Sequence, residues 1–210
     1  MKIVYMGDSI TDAGKYLANG SHIEIGQGYA MITAAKLGAK YPNTFTFVNS
    51  GISGNRVVDI YARIKSDLWN HNPDVLSLLI GINDVWHEIK ENNGVDAKRF
   101  EAVYRMYITD TLNRFPNIKI IAMEPFILKG CATEDDWETF YNEARQRAAI
   151  VKKVAEEYDL SFIPLQEVFD KACELAPAIY WADDGVHPTP AGHQLIADAW
   201  LEAFEKNILK

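Results

Sequence analysis

The sequence of 210 residues is poor in cysteine, with only Cys131 and Cys173, and neither stands at a metal-binding or redox spacing. A disulfide framework has no material here, and a reduced, cytoplasmic chain is the expectation. Long hydrophobic runs are missing too. No stretch reaches the eighteen or so apolar residues that span a bilayer, and the first apolar run stops at Met6, too short for the core of a secretory signal. Positive charge is also in deficit, 21 Lys and Arg against 29 Asp and Glu, a net charge of −8. The densest basic places, Lys36 with Lys40, Arg145 with Arg147, and Lys152-Lys153, are mixed with acids at helical spacing and read as solvated faces. Nucleic acid and anionic membrane surfaces are therefore not expected partners. Repeats, low-complexity tracts and linkers are absent. A chain 48% hydrophobic and 24% charged is ordinary for one globular domain over residues 1–210, burying roughly 70% of its unfolded surface.

Several chemical signatures fail on their spacing. Gly26-Gln27-Gly28-Tyr29-Ala30-Met31 lacks the last glycine of a dinucleotide loop, and Gly14-Lys15 is followed by Tyr16 where a phosphate loop needs Ser or Thr. No Gly-x-Ser-x-Gly elbow occurs. His87-Glu88 has no second histidine four residues on, and His187 with His193 has no third ligand in view. No cofactor and no metal are expected.

What is present is an alternation. Strand-like runs at 2–6, 45–49, 75–80, 118–123 and 160–164 interleave with helix-like segments near 27–40, 56–70, 97–115, 136–158 and 190–206. This pattern predicts a three-layer α/β/α sandwich around a mainly parallel sheet of about five strands. Thr133 before Glu134, Asp135 and Asp136 reads as a helix start, and Thr189-Pro190 as an N-cap with a first-turn proline. The glycine-bearing stretch 14–28 reads as a loop over the site.

Polar blocks sit at the predicted strand ends. Gly7-Asp8-Ser9 follows the first strand, where α/β proteins place their chemistry. A serine hydroxyl is a poor nucleophile unless a base takes its proton, and a histidine oriented by a carboxylate does so. His187 with Asp184, three residues upstream, supplies both, with Asp183 as the rival orienter. Asn49 through Gly54 follows the second strand and Gly81-Ile82-Asn83-Asp84 the third. Both read as loops able to offer N–H donors: the Ser9 and Gly54 backbone and the Asn83 amide are candidates for an oxyanion hole. Asp8, Asp12 and Asp84 can polarise the site or hold loop backbone through Asx-type bonds.

These four ordered blocks, Gly7-Asp8-Ser9, Asn49 to Gly54, Gly81 to Asp84, and Asp184-x-x-His187, resemble those of the SGNH (GDSL-type) hydrolases. The resemblance implies Ser9 as nucleophile, His187 as base, Asp184 as its orienter, and Ser9, Gly54 and Asn83 as the oxyanion hole, on a flavodoxin-like α/β/α fold. Gly51 to Asn55, Ile80 to Trp86 and Trp181 to Gly192 are most similar to intracellular acetyl xylan esterases and related carbohydrate deacetylases. The implied function is removal of small acyl groups from an acylated carbohydrate. Asp8, Trp86, Tyr180 and Trp181 are the expected substrate contacts, the aromatics offering flat faces for a sugar ring, although each can equally pack the core or a subunit contact. A homo-oligomer is a further expectation by analogy. Two other functions fit the blocks: a lysophospholipase or thioesterase acting on long acyl chains, with the loop 124–137 lining an apolar groove, and a non-catalytic carbohydrate-binding protein.

Overall fold

The computed structural model describes residues 1–15 and 24–209, so residues 16–23, the middle of the stretch expected to lie over the site, are outside the described residues. All five predicted strands form, as β1 (Lys2–Gly7), β2 (Thr46–Asn49), β3 (Val75–Leu79), β4 (Lys119–Met123) and β5 (Ser161–Ile163). They pair side by side, all parallel, in the order β2-β1-β3-β4-β5. The order reverses at β1, so a crevice opens beyond the carboxyl ends of β1 and β3.

The strands are apolar on both faces because both are covered. Ile3, Tyr5, Val75, Leu79, Ile121 and Met123 pack on one side with Tyr29 and Leu37 of α2 (Tyr29–Lys40) and with Trp200 and Phe204 of α10 (Pro190–Asn207). Val4, Met6, Leu76, Leu78, Ile120 and Ala122 face the other way, against Val57 and Ile60 of α3 (Val57–Ala62) and Phe100, Tyr104 and Tyr107 of α6 (Ala97–Arg114). Each Val, Leu, Ile, Phe or Met among them contributes about 1.5–3 kcal/mol on burial. The one polar residue inside β3, Ser77, is satisfied by the Trp200 indole N–H at 2.9 Å. The architecture is thus the three-layer α/β/α sandwich the alternation predicts.

The helices depart from expectation in places. The segment 56–70 is not one helix: α3 stops at Ala62, α4 spans Ile64–Asp67, and a 3-10 turn covers Trp69–His71. The sequence pattern does not announce the short helices α1 (Ser9–Asp12), α5 (Ile82–Glu91), α8 (Leu165–Cys173) and α9 (Ala178–Trp181), whereas it does announce α7 (Trp137–Glu157). Helix α5 carries Ile82, Val85, Trp86 and Ile89 at helical spacing, but its asparagine and aspartate at the start resemble a turn. Packing on α7 and the core stabilises a helix too short to stand alone. Thr133 does not cap α7. Its hydroxyl donates to the Leu128 carbonyl at 2.7 Å and accepts from Gly130 N–H at 3.0 Å, tightening the loop 128–133. Thr189 does cap α10, accepting from Gly192 N–H at 3.3 Å, with Pro190 in the first turn.

Candidate active site

Strand β1 ends at Gly7, whose bare Cα is required: a Cβ there would lie 2.4 Å from the Leu79 carbonyl oxygen on the neighbouring strand. Asp8 then caps α1, accepting from Ile10 N–H at 3.0 Å. Ser9 is therefore the first residue of a helical turn, and its own N–H has no intrahelical acceptor. Its hydroxyl stands 2.8 Å from Nε2 of His187, a residue 178 positions away in the chain.

The segment 182–188 presents His187. An antiparallel bridge pairs Ala182 with Pro188, and Leu128 N–H donates to the Gly185 carbonyl at 2.8 Å. Asp184 Oδ1 accepts the backbone N–H groups of Val186 at 2.9 Å and His187 at 2.7 Å, while Oδ2 lies 2.6 Å from His187 Nδ1. Burial works to raise the Asp184 carboxyl, but the imidazole and backbone donors outweigh it and hold the group down at about 2. The same contact with Asp184 raises His187 above its ordinary value against the opposing effect of partial burial. With Asp184 ionised, Nδ1 carries the proton it donates, so Nε2 presents a lone pair to the Ser9 hydroxyl. Asp183 is exposed and makes no bond to the ring.

The second block is tied to the turn that carries Ser9, and the third block to the second. Asn49 ties its own loop, accepting from Gly51 N–H at 2.9 Å and donating to the Thr11 and Ile25 carbonyls at 2.7 and 2.8 Å. Asp12 Oδ2 accepts from both the backbone and the hydroxyl of Ser53, at 3.2 and 3.0 Å. Gly54 adopts φ +80°, where a side chain would be strained, and its N–H meets no acceptor among the described residues. Asn83, in the first turn of α5, spends one amide hydrogen on the Asn55 carbonyl at 3.2 Å and keeps the other. Asp84 accepts Val57 N–H with both oxygens at 3.1 Å. Asn83 and Asp84 thus pin the segment that follows Gly54.

Of the expected substrate contacts, only Trp86 lies against this cluster, its ring 5.9 Å from that of His187 and edge-on to Phe140. Asp8 has to be corrected. It is 0% exposed, one carboxyl oxygen has no partner among the described residues, and burial pushes its carboxyl up to about 7, so it lies under the site and cannot touch a substrate. Asp84 is equally buried and is likewise raised to about 7 by burial. Tyr180 and Trp181 pack edge-on against each other, and the Trp181 indole donates to the Ala176 carbonyl at 3.1 Å. No hydrogen bond or ring contact joins either to Ser9, Asn83 or His187 among the described residues. His193, which the sequence marks only as an isolated histidine, stacks on Tyr29 and accepts its backbone N–H at 3.3 Å; burial lowers it to about 4, which keeps it neutral beside the site. Among the described residues no three His, Cys, Asp or Glu converge on a metal-sized site, and no helix is long and apolar enough to cross a membrane.

A serine hydroxyl on a histidine whose other ring nitrogen meets a carboxylate is an arrangement suited to acyl transfer. Comparison with known proteins points the same way. The chain is 35% identical over 209 residues to an acetylxylan esterase from Geobacillus stearothermophilus, covering 95% of this chain and 92% of that protein. It is 28% identical over 180 residues to thioesterase 1/protease 1/lysophospholipase L1 of Escherichia coli, covering 83% and 76% of the two chains. The crystal structure of a GDSL-like lipase from Parabacteroides merdae superposes with a TM-score of 0.90 at 37% identity, over 97% of this chain and 95% of that one. Since the model of the GDSL-like lipase/acylhydrolase family also matches residues 5–195, the chain belongs to that family and is a carboxylic ester hydrolase.

Proposed function

We propose that the protein removes small acyl groups, acetyl first among them, from carbohydrate hydroxyls through an acyl-enzyme on Ser9. The observation that carries this reading is the continuous relay from Asp184 Oδ2 through the imidazole to Ser9 Oγ, at 2.6 and 2.8 Å. In the first half-reaction His187 Nε2 takes the hydroxyl proton as Ser9 Oγ bonds to the ester carbonyl carbon. The carbonyl oxygen becomes an oxyanion held by the N–H groups of Ser9 and Gly54 and the free amide hydrogen of Asn83. Collapse breaks the bond to the sugar oxygen, which leaves with the proton from His187. Water then attacks the acyl-serine with His187 again as base, releasing acetate and restoring Ser9. Asp184 stays ionised throughout, consistent with its low pKa.

The preference for a short acyl group rests on the acetylxylan esterase relative and on the segment after β4. Of the candidates for an acyl groove, Pro125, Phe126, Ile127 and Leu128 are buried, the last three in the core, and Trp137 is half-buried. The E. coli thioesterase and lysophospholipase relative keeps a second reading alive, that of longer acyl chains. Hydrolysis of p-nitrophenyl esters from acetate to octanoate, by the wild type beside Ser9→Ala, separates the two. Activity peaking at acetate and lost in the variant is the expected result. A peak at octanoate favours the second reading, and turnover independent of Ser9 overturns both. The free thiols Cys131 and Cys173 suit a reducing, cytoplasmic setting.

A further inference from the structure

Helix α5 projects more than Asn83 toward the site. His87 follows Asn83 by four residues, so the two side chains share a face of the helix. Its ring stands across from Gly54: a Cβ built on that glycine would find His87 Cε1 at 3.9 Å and Nε2 at 4.0 Å, with no other described residue apart from the adjacent Ser53 and Asn55 within 4 Å. A gap of about one methyl group therefore separates the Gly54 backbone from the imidazole edge, beside a backbone N–H proposed as an oxyanion donor. At the opposite edge of the ring, Nδ1 lies 3.8 Å from the Glu91 carboxylate. Nε2 has no hydrogen-bond partner among the described residues, and the side chain is one-fifth exposed. Trp86, the preceding residue, turns the other way to meet His187. The two neighbours thus flank Asn83 with an apolar face on one side and a polar ring nitrogen on the other.

We propose that His87 is a specificity-determining residue whose Nε2 hydrogen-bonds a hydroxyl of the carbohydrate that carries the ester. This rests on the carbohydrate reading of the same site. A simple aryl ester has no hydroxyl to offer, so the contact distinguishes the two kinds of substrate. A site group built for a hydroxyl discriminates because it is left unpaired when the hydroxyl is missing.

The test compares kcat/KM on acetylated xylobiose and on p-nitrophenyl acetate for the wild type, His87→Ala and His87→Gln. The ratio of sugar ester to aryl ester falls about tenfold in His87→Ala, the worth of one hydrogen bond, mainly through KM for the sugar. His87→Gln, which keeps a polar group at a similar reach, recovers part of the ratio. Equal losses on both substrates would make His87 a packing residue and overturn the proposal, as would an unchanged ratio. A wild type that cleaves the aryl ester but not the sugar ester overturns the carbohydrate reading, and this role with it.

Discussion

The sheet interior and the floor of the site are both buried, yet they are built by opposite rules. Inside the sheet, apolar side chains from β1, β3 and β4 meet helices on both faces, and the polar exception, Ser77, is bonded to Trp200. Under the site, Asp8 and Asp84 are buried carboxyls, the charge of Asp8 helps raise Asp84, and one Asp8 oxygen has no partner among the described residues. Burying a carboxylate without full hydrogen bonding costs stability. The interior is thus arranged for folding, while the crevice tolerates unfavourable groups next to Ser9 and Asn83, as functional sites commonly do.

Substitutions on either side sharpen this contrast. The largest effect is expected at the site, from Asp184→Asn: the ring loses the partner that sets its tautomer, and kcat falls about 10⁴-fold with the fold retained. Residual activity would show a changed pH profile. In the wild type the raised His187 places the acid limb of kcat/KM above about 6.5, and without Asp184 the limb moves to lower pH. A wild-type limb below that value would break the assignment. Trp200→Ala in the interior should do the reverse. Loss of a fully buried indole costs about 3–5 kcal/mol, seen as a lowered urea midpoint, with little change in turnover of the molecules that remain folded. Asn83→Ala removes one oxyanion donor and should lower kcat about 10²–10³-fold; near-normal turnover in a folded variant would end that role.

The smallest effect concerns Asp8. A carboxyl raised from its ordinary value to about 7 by burial keeps its proton in the folded state while the unfolded chain has already lost it. Stability therefore falls as pH rises through that window and levels off above it. Asp8→Asn cannot titrate, so its urea midpoint should decline less than that of the wild type between about pH 5 and pH 8. Parallel slopes for the two proteins would show that Asp8 is ionised in the fold.

Strands were legible because the signal is local: short apolar runs bounded by glycine and turn residues stay strands in any context that covers both faces. Thr189-Pro190 was legible for the same reason, since a cap acts within one turn. The break of the expected helix at Arg63 was less so. Its side chain reaches from the end of α3 to the Ser50 carbonyl at 2.7 Å and the Gly7 carbonyl at 3.3 Å, a tie to two distant loops that no local pattern announces. Thr133 misled because a residue suited to cap a helix is equally suited to close a loop.

For the site, the sequence by itself determined the inventory: a serine after β1, a glycine-bearing loop after β2, an asparagine after β3, and Asp184 within local reach of His187. Those residues announce themselves by chemistry and position at strand ends. Only the tertiary structure decided which groups face the crevice and which lie beneath it. It set Ser9 against a histidine 178 residues away, brought Trp86 and His87 beside Asn83 on one unpredicted helix, and sealed Asp8 under the helical turn that begins with Ser9. Burial is a property of what packs from other parts of the chain, and residues adjacent in sequence can fall on opposite sides of that boundary.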